Sequence, residues 1–321
     1  MRPDQSAIEP TQRLDLNDGA LRSVAFSPDG TSIAAGGERC VQILDVITGD
    51  CRHRLEGHTK EVRSVDYLAN GKQLASGSGD KTIRLWDVDS GKLVKVFDGG
   101  DAPDPPGPVQ HVAFFPDGKI LASCTEAQTV TLWDVETGLW NHIVRTTHLG
   151  AGCFCVAVSR DGKHCAVAGT RNRREYAGQV SHYRVNSGLQ LLWNRDCDGE
   201  LPATFVAFAP TGLKLLSCGQ DNAVRIWDVK EGRLSRKLLG PDGHKVMQAA
   251  FFTPDGSRVI AITREGILRL WTVGSGELLA SIKAGEKSVL GLALSFRGTS
   301  AATCGEDGAI QMWDLSHTTD K

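Results

Sequence analysis

The chain has 321 residues, 40% of them hydrophobic, and a formal net charge of -2. That length suits one large domain or two ordinary ones, and the near-neutral balance argues against nucleic-acid binding, which usually needs a basic excess. No apolar run approaches the 18 or so residues of a membrane helix, so no membrane contact is expected.

Residues 1–10, with Pro3 and Pro10, read as a loose tail. Thr11–Leu16 then alternates in the manner of a strand. From about residue 12 to residue 315 one unit of about 44 residues recurs, a period typical of architectures in which no unit can bury its own apolar face. Its first mark is a turn ending at Gly30, Gly71, Gly118, Gly162, Gly212, Gly256 or Gly298. Its second is a pair at a near-constant distance downstream: Leu44-Asp45, Trp86-Asp87, Trp133-Asp134, Tyr183-Arg184, Trp227-Asp228, Trp271-Thr272 and Trp313-Asp314.

Each unit parses as four short strands. In the second these are Val62–Tyr67, Gln73–Gly77, Thr82–Asp87 and Lys92–Phe97, joined at Asn70-Gly71, Gly79-Asp80 and Ser90-Gly91. The strands favour β-branched and apolar residues, and the joints carry the Asn, Asp, Pro and Gly that tight turns demand. Even spacing predicts an all-β, seven-bladed propeller of four-stranded antiparallel blades rather than a sandwich. Only eight residues follow Trp313, too few for a further strand, so Thr11–Leu16 is expected to pair into the last blade and close the ring. The propeller then spans 11–317, with 318–321 as a C-terminal tail.

The sequence LASGSGDKTIRLWDV over 74–88, preceded by Gly57-His58, resembles a near-consensus unit of the WD-repeat (WD40-type) family. The resemblance implies a buried hydrogen-bonded tetrad, complete in blade 2 as His58, Ser76, Asp80 and Trp86. Blade 5 retains Ser217, Asp221 and Trp227, and blade 7 retains Thr303, Asp307 and Trp313. Blade 6 keeps His244 and Trp271, with Glu265 at the Asp position. Blades 1, 3 and 4 depart further, which puts their tetrads in doubt.

Ser76, His58 and Asp80 are also the residue types of a hydrolase triad. A catalytic Ser needs an exposed Oγ beside an oxyanion hole, whereas a tetrad Ser would lie under Trp86 and satisfy buried polar groups. No catalytic residue is therefore assigned, and no cofactor. Cys153, Cys155, His164 and Cys165 could suggest zinc, but Cys-x-Cys is narrower than the usual structural-zinc pair. Buried strand cysteines and no metal are the expectation. Nine cysteines, no sequon and no charged-then-apolar leader suggest a reduced, cytoplasmic protein.

Two loops on one face, the top, depart from the repeat. The connector into blade 3, Gly99–Pro108, is acidic and Pro-rich; the blade 4 turn, Thr170–Gly178, carries Arg171, Arg173, Arg174 and Tyr176. Insertions on one face often mark the binding face. First strands begin near the top opening at Arg22, Arg63, Gln110, Phe154, Thr204, Gln248 and Leu290. With Arg39 and Arg264 from short turns, these predict a partly basic rim, offset by Glu38, Glu126 and Glu306.

The combined expectation is a non-catalytic scaffold, a monomeric propeller working within a complex. It would bind an acidic or mixed-charge protein segment through Arg22, Arg39, Arg63, Phe154, Arg171, Arg173, Arg174, Tyr176 and Arg264. The rival readings are an enzyme with a pocket at the central channel, or the regulatory propeller of a larger polypeptide.

Overall fold

The structure, a computed structural model, describes residues 8–16, 18–98, 107–146, 152–171, 177–186, 188–197, 201–241, 243, 245–285 and 287–316. Strand β1 spans Glu9–Asp15. Blade 1 holds β2 to β5 (Ser23–Phe26, Ser32–Gly36, Cys40–Asp45, Cys51–Glu56), and blade 2 holds β6 to β9 (Val62–Tyr67, Gln73–Ser78, Ile83–Asp87, Leu93–Phe97). Blade 3 holds β10 to β13 (Val109–Phe114, Ile120–Thr125, Thr129–Asp134, Trp140–Arg145). Blade 4 holds β14 to β17 (Cys153–Val158, His164–Thr170, Gly178–Val185, Leu189–Asp196). Blade 5 holds β18 to β21 (Ala203–Phe208, Lys214–Gly219, Ala223–Asp228, Leu234–Leu239). Blade 6 holds β22 to β25 (Met247–Phe252, Arg258–Thr263, Ile267–Thr272, Leu278–Lys283). Blade 7 holds β26 to β28 (Val289–Leu294, Ser300–Gly305, Ala309–Asp314) together with β1.

Seven four-stranded antiparallel sheets result, as the repeat predicts. Each first-to-second turn needs a residue in the left-handed region, and glycine supplies it without a Cβ penalty: Gly30 has φ 75° and Gly298 φ 70°. The closing strand begins two residues before Thr11, so Glu9 and Pro10 are part of the ring rather than of a tail. In the order β1-β28-β27-β26, Leu14 faces Ile310. Arg13 reaches Asp307 at 2.8 Å, and the Gln311 side chain donates to the Gln12 carbonyl at 2.9 Å.

The core lies between blades. Trp133 of blade 3 packs with Phe97 and Leu68 of blade 2, while Trp86 of blade 2 packs with Val41, Ile43 and Leu55 of blade 1. Each blade thus buries its apolar face only against a neighbour, and the ring is the smallest unit that satisfies all of them.

A recurring irregularity positions the channel mouth. In blades 2 to 7 the first strand skips one residue in its pairing with the second: Arg63, Gln110, Phe154, Thr204, Gln248 and Leu290 have no partner across the ladder. A β-bulge of this kind re-aims the extra side chain. All six line the central cavity, as does Arg22 of blade 1.

Candidate interaction face and central channel

Blade 2 assembles the tetrad around a fully buried serine. Trp86 Nε1 donates to Ser76 Oγ at 2.8 Å, Ser76 Oγ lies 2.8 Å from His58 Nε2, and His58 Nδ1 lies 2.8 Å from Asp80 Oδ2. A donor chain from indole to hydroxyl to imidazole to carboxylate uses every atom once. Burial alone would raise the Asp80 pKa. Hydrogen bonds from His58, from the Thr82 hydroxyl and from the Thr59 and Thr82 amides outweigh it and hold the carboxyl well below its usual range. Ser76 is 0% exposed and His58 4%, so the hydroxyl has no route to a substrate.

The indole-to-hydroxyl bond recurs in blade 5 (Trp227 to Ser217, 2.9 Å) and blade 7 (Trp313 to Thr303, 3.1 Å). Blade 3, whose tetrad was in doubt, also has it, from Trp133 to Ser123 at 2.8 Å. The ten-residue spacing shared with Ser76 and Trp86 was the available signal. Asp221 and Asp307 take other partners, the guanidiniums of Arg225 and Arg13. Blade 4 replaces the pair with Val167 and Tyr183, and its outer half closes instead on rings. His182 packs at a tilt between His164 (4.9 Å), to which it is also hydrogen-bonded at 3.0 Å, and Trp193 (5.0 Å), and Trp193 donates to the Val229 carbonyl of blade 5 at 2.8 Å.

At the mouth the arginines of the expected partly basic rim are largely paired. Arg63 binds Glu61 at 2.7 Å and also Glu126, to which Gln110 donates at 2.7 Å. Arg264 lies 3.8 Å from Glu306, and Arg171 lies 3.0 Å from Asp196. Arg22 and Arg39 are exposed, and Phe154 is partly buried against the channel. The rim is therefore of mixed charge, because each predicted arginine with a carboxylate in reach has taken it. Arg173, Arg174, Tyr176 and His244, with most of the acidic connector, lie outside the described residues.

Behind the mouth is a cavity of about 850 Å³ lined by the first strands. Besides Glu61, which pairs with Arg63, two ionisable residues of its lining were not singled out from the sequence. His111 packs edge-on to Phe205 at 6.2 Å, and burial pulls its pKa down to about 4. Asp66 accepts the Phe114 amide at 2.7 Å; burial raises its pKa to about 7, against the pull of the Phe114 and Tyr67 amides. Comparing the seven first strands would have found Asp66, since alanine dominates its position.

Among the described residues no group of three or more His, Cys, Asp or Glu side chains is placed to hold a metal ion, and all nine cysteines are unbridged. No helix among them is long and apolar enough to cross a membrane.

The family described as "WD domain, G-beta repeat" matches residues 8–45, 49–87, 91–134, 197–228 and 276–314, together more than half of the chain. The matched spans omit 135–196, which contain all of blade 4, and 229–275, which contain three strands of blade 6. A WD repeat-containing protein SL1-17 of Schistosoma mansoni is 30% identical over 57% of this chain and 56% of its own length. Nuclear distribution protein nudF 2 of Aspergillus clavatus is 38% identical over 29% of this chain and 22% of its own. Intraflagellar transport protein 122 homolog of Xenopus tropicalis is 31% identical over 27% and 7% respectively. The chain thus spans about half or less of the length of these relatives.

Proposed function

The chain belongs to the WD-repeat family, and from that premise we propose that it is a non-catalytic scaffold that holds a protein or peptide segment on the top face of its propeller. One observation carries the reading. The positions that repeat faithfully are consumed in building the ring, whereas the bulge residues at the channel mouth change from blade to blade: Arg63, Gln110, Phe154, Thr204, Gln248, Leu290. A scaffold needs a constant frame and a variable surface, and this chain divides its residues in that way.

Mixed charge with interspersed aromatic and amide groups suits a polypeptide partner better than a phosphate backbone. Arg22, Arg39, Arg63, Phe154 and Arg264, with Arg171, Arg173, Arg174 and Tyr176 of the blade 4 turn, form the proposed contact surface. The pairing of Arg63 and Arg264 with glutamates favours a mixed-charge segment over a uniformly acidic one. A monomeric propeller, working within a cytoplasmic complex, completes the proposal.

The test is affinity purification from the native source with three versions of the chain. The first is unchanged; the second carries Arg22→Glu, Arg171→Glu and Arg264→Glu; the third carries Lys163→Glu and Lys230→Glu on the opposite face. Loss of co-purifying proteins with the top-face variant alone supports the reading. Retention of every partner by it removes the site.

A further inference from the structure

The first strands place one side chain each at a common depth in the channel, fixed by their register against the second strands. At the level of Asp66 the other blades put Ala25, Ala113, Ala157, Ala207 and Ala293, with Phe251 from blade 6. All line the same cavity. Closing the ring therefore requires no carboxyl at this depth, because alanine closes it elsewhere.

Asp66 caps an edge amide of blade 3, as Ser23 and Ser64 cap those of Val65 and Val112, and that task needs no carboxyl. Its carboxylate has about four acceptor sites, and two backbone amides engage it. Burial is the main cause of its raised pKa, and no cationic side chain among the described residues is ion-paired with it. Asp66 is only partly exposed at the channel wall, and a half-buried carboxylate without a counter-charge is costly. The charged neighbours offer none: Arg63 is committed to Glu61 and Glu126, Arg264 to Glu306, Arg22 is exposed at the mouth, and burial keeps His111 neutral. The cavity is of the size that takes small ligands. Phe205 and Phe251 line it and pack edge-to-face on each other, their centroids 5.1 Å apart.

We propose that the channel binds an organic cation, a guanidinium or alkylammonium group, with Asp66 as its counter-charge and Phe205 and Phe251 as its apolar and cation–π wall. The group could be carried by a partner's basic side chain or by a small free molecule; the chemistry recognised is the same. The site goes beyond the top-face reading, and either can fail alone, since it is tested with a small probe and no partner.

Calorimetric titration of the whole chain with n-butylguanidinium and n-butylammonium, with neutral n-butylurea as control, reads the site directly. The cations are expected to bind the unchanged chain, and Asp66→Asn to weaken them by about tenfold or more. Asp66→Ala, which installs the residue of the neighbouring blades, should behave likewise while thermal unfolding shows an intact ring. Affinity should rise from about pH 6 to about pH 8 as the carboxyl ionises. A parallel titration with acetyl-Gly-Arg-Gly-amide separates the sources: peptide binding without free-cation binding assigns the cation to a polypeptide. Equal binding by the unchanged chain and Asp66→Asn, or no binding of any cationic probe at millimolar concentration, overturns the proposal.

Discussion

Blade 2 closes on a chain of four hydrogen-bonded side chains, whereas blade 4 closes on a cluster of packed rings. In blade 2, Trp86, Ser76, His58 and Asp80 satisfy one another within the sheet and its preceding loop. In blade 4, His164, His182 and Trp193 pack together on the outer half and reach across to blade 5 through Val229. Its third and fourth strands run eight residues each, against five in blade 2. A propeller blade thus has to fill a fixed wedge between neighbours, and more than one side-chain chemistry can fill it. The contrast also relocates interest. The most regular blade by its motif is the one whose first strand carries Asp66 and the paired Arg63, so regularity of the third strand says nothing about the channel.

The sharpest way to break the comparison is Trp193→Ala. If rings hold blade 4, the loss of ring packing and of the Val229 bond should cost about 3–5 kcal/mol in denaturant unfolding; a change near zero would mean that the strands alone suffice. Ser76→Ala should cost about 2–3 kcal/mol, because Trp86 Nε1 and His58 Nε2 both lose their partner in a dry site. A smaller loss than from Ser123→Ala in blade 3 would show that the complete tetrad adds nothing.

Acid should separate the two blades. The His182 pKa is lowered to about 4, by burial first and then by His164 and Arg184. Below its ordinary value of about 6.5 the unfolded chain takes up a proton that the folded chain refuses, so stability falls from about pH 6.5 to about pH 4. His111 adds to the same limb. The Asp80 carboxyl is depressed instead, so its contribution persists until the pH falls below the usual carboxylate value of about 4. Hydrogen exchange at about pH 5, corrected for intrinsic rates, should show β15 to β17 opening before β7 and β8. The reverse order would contradict the account. The smallest expected effect is a gain: Lys81 sits at φ 73° in a turn where blades 6 and 7 use Gly266 and Gly308. Lys81→Gly should stabilise by about 0.5–1 kcal/mol in thermal unfolding.

The ring was legible because its signals are local. Turn glycines and the Trp-Asp pairs recur at a fixed spacing, and each reports a backbone demand that no distant residue can alter. The channel-mouth positions were legible too, though not that they are bulge residues. What escaped depends on contacts between blades. The charge of Arg63 is balanced partly by Glu126, 63 residues away in the next blade; the sequence showed that glutamates offset the partly basic rim, but not which arginine each one meets. Trp193 lies in a fourth strand, where the repeat has no signature, and its role follows from Trp227 and Val229 of blade 5. Asp66 is exceptional only when seven first strands are set side by side.

The central claim, that partners sit on the top face, is tested most directly by site-specific photocross-linking in the native setting. A benzophenone amino acid at Arg22 or Arg264 reports on the top, and one at Lys163 or Lys230 on the opposite face. The account predicts discrete protein adducts from Arg22 and Arg264 and none from Lys163 or Lys230. Adducts confined to the latter pair would place the partner on the wrong face and contradict it.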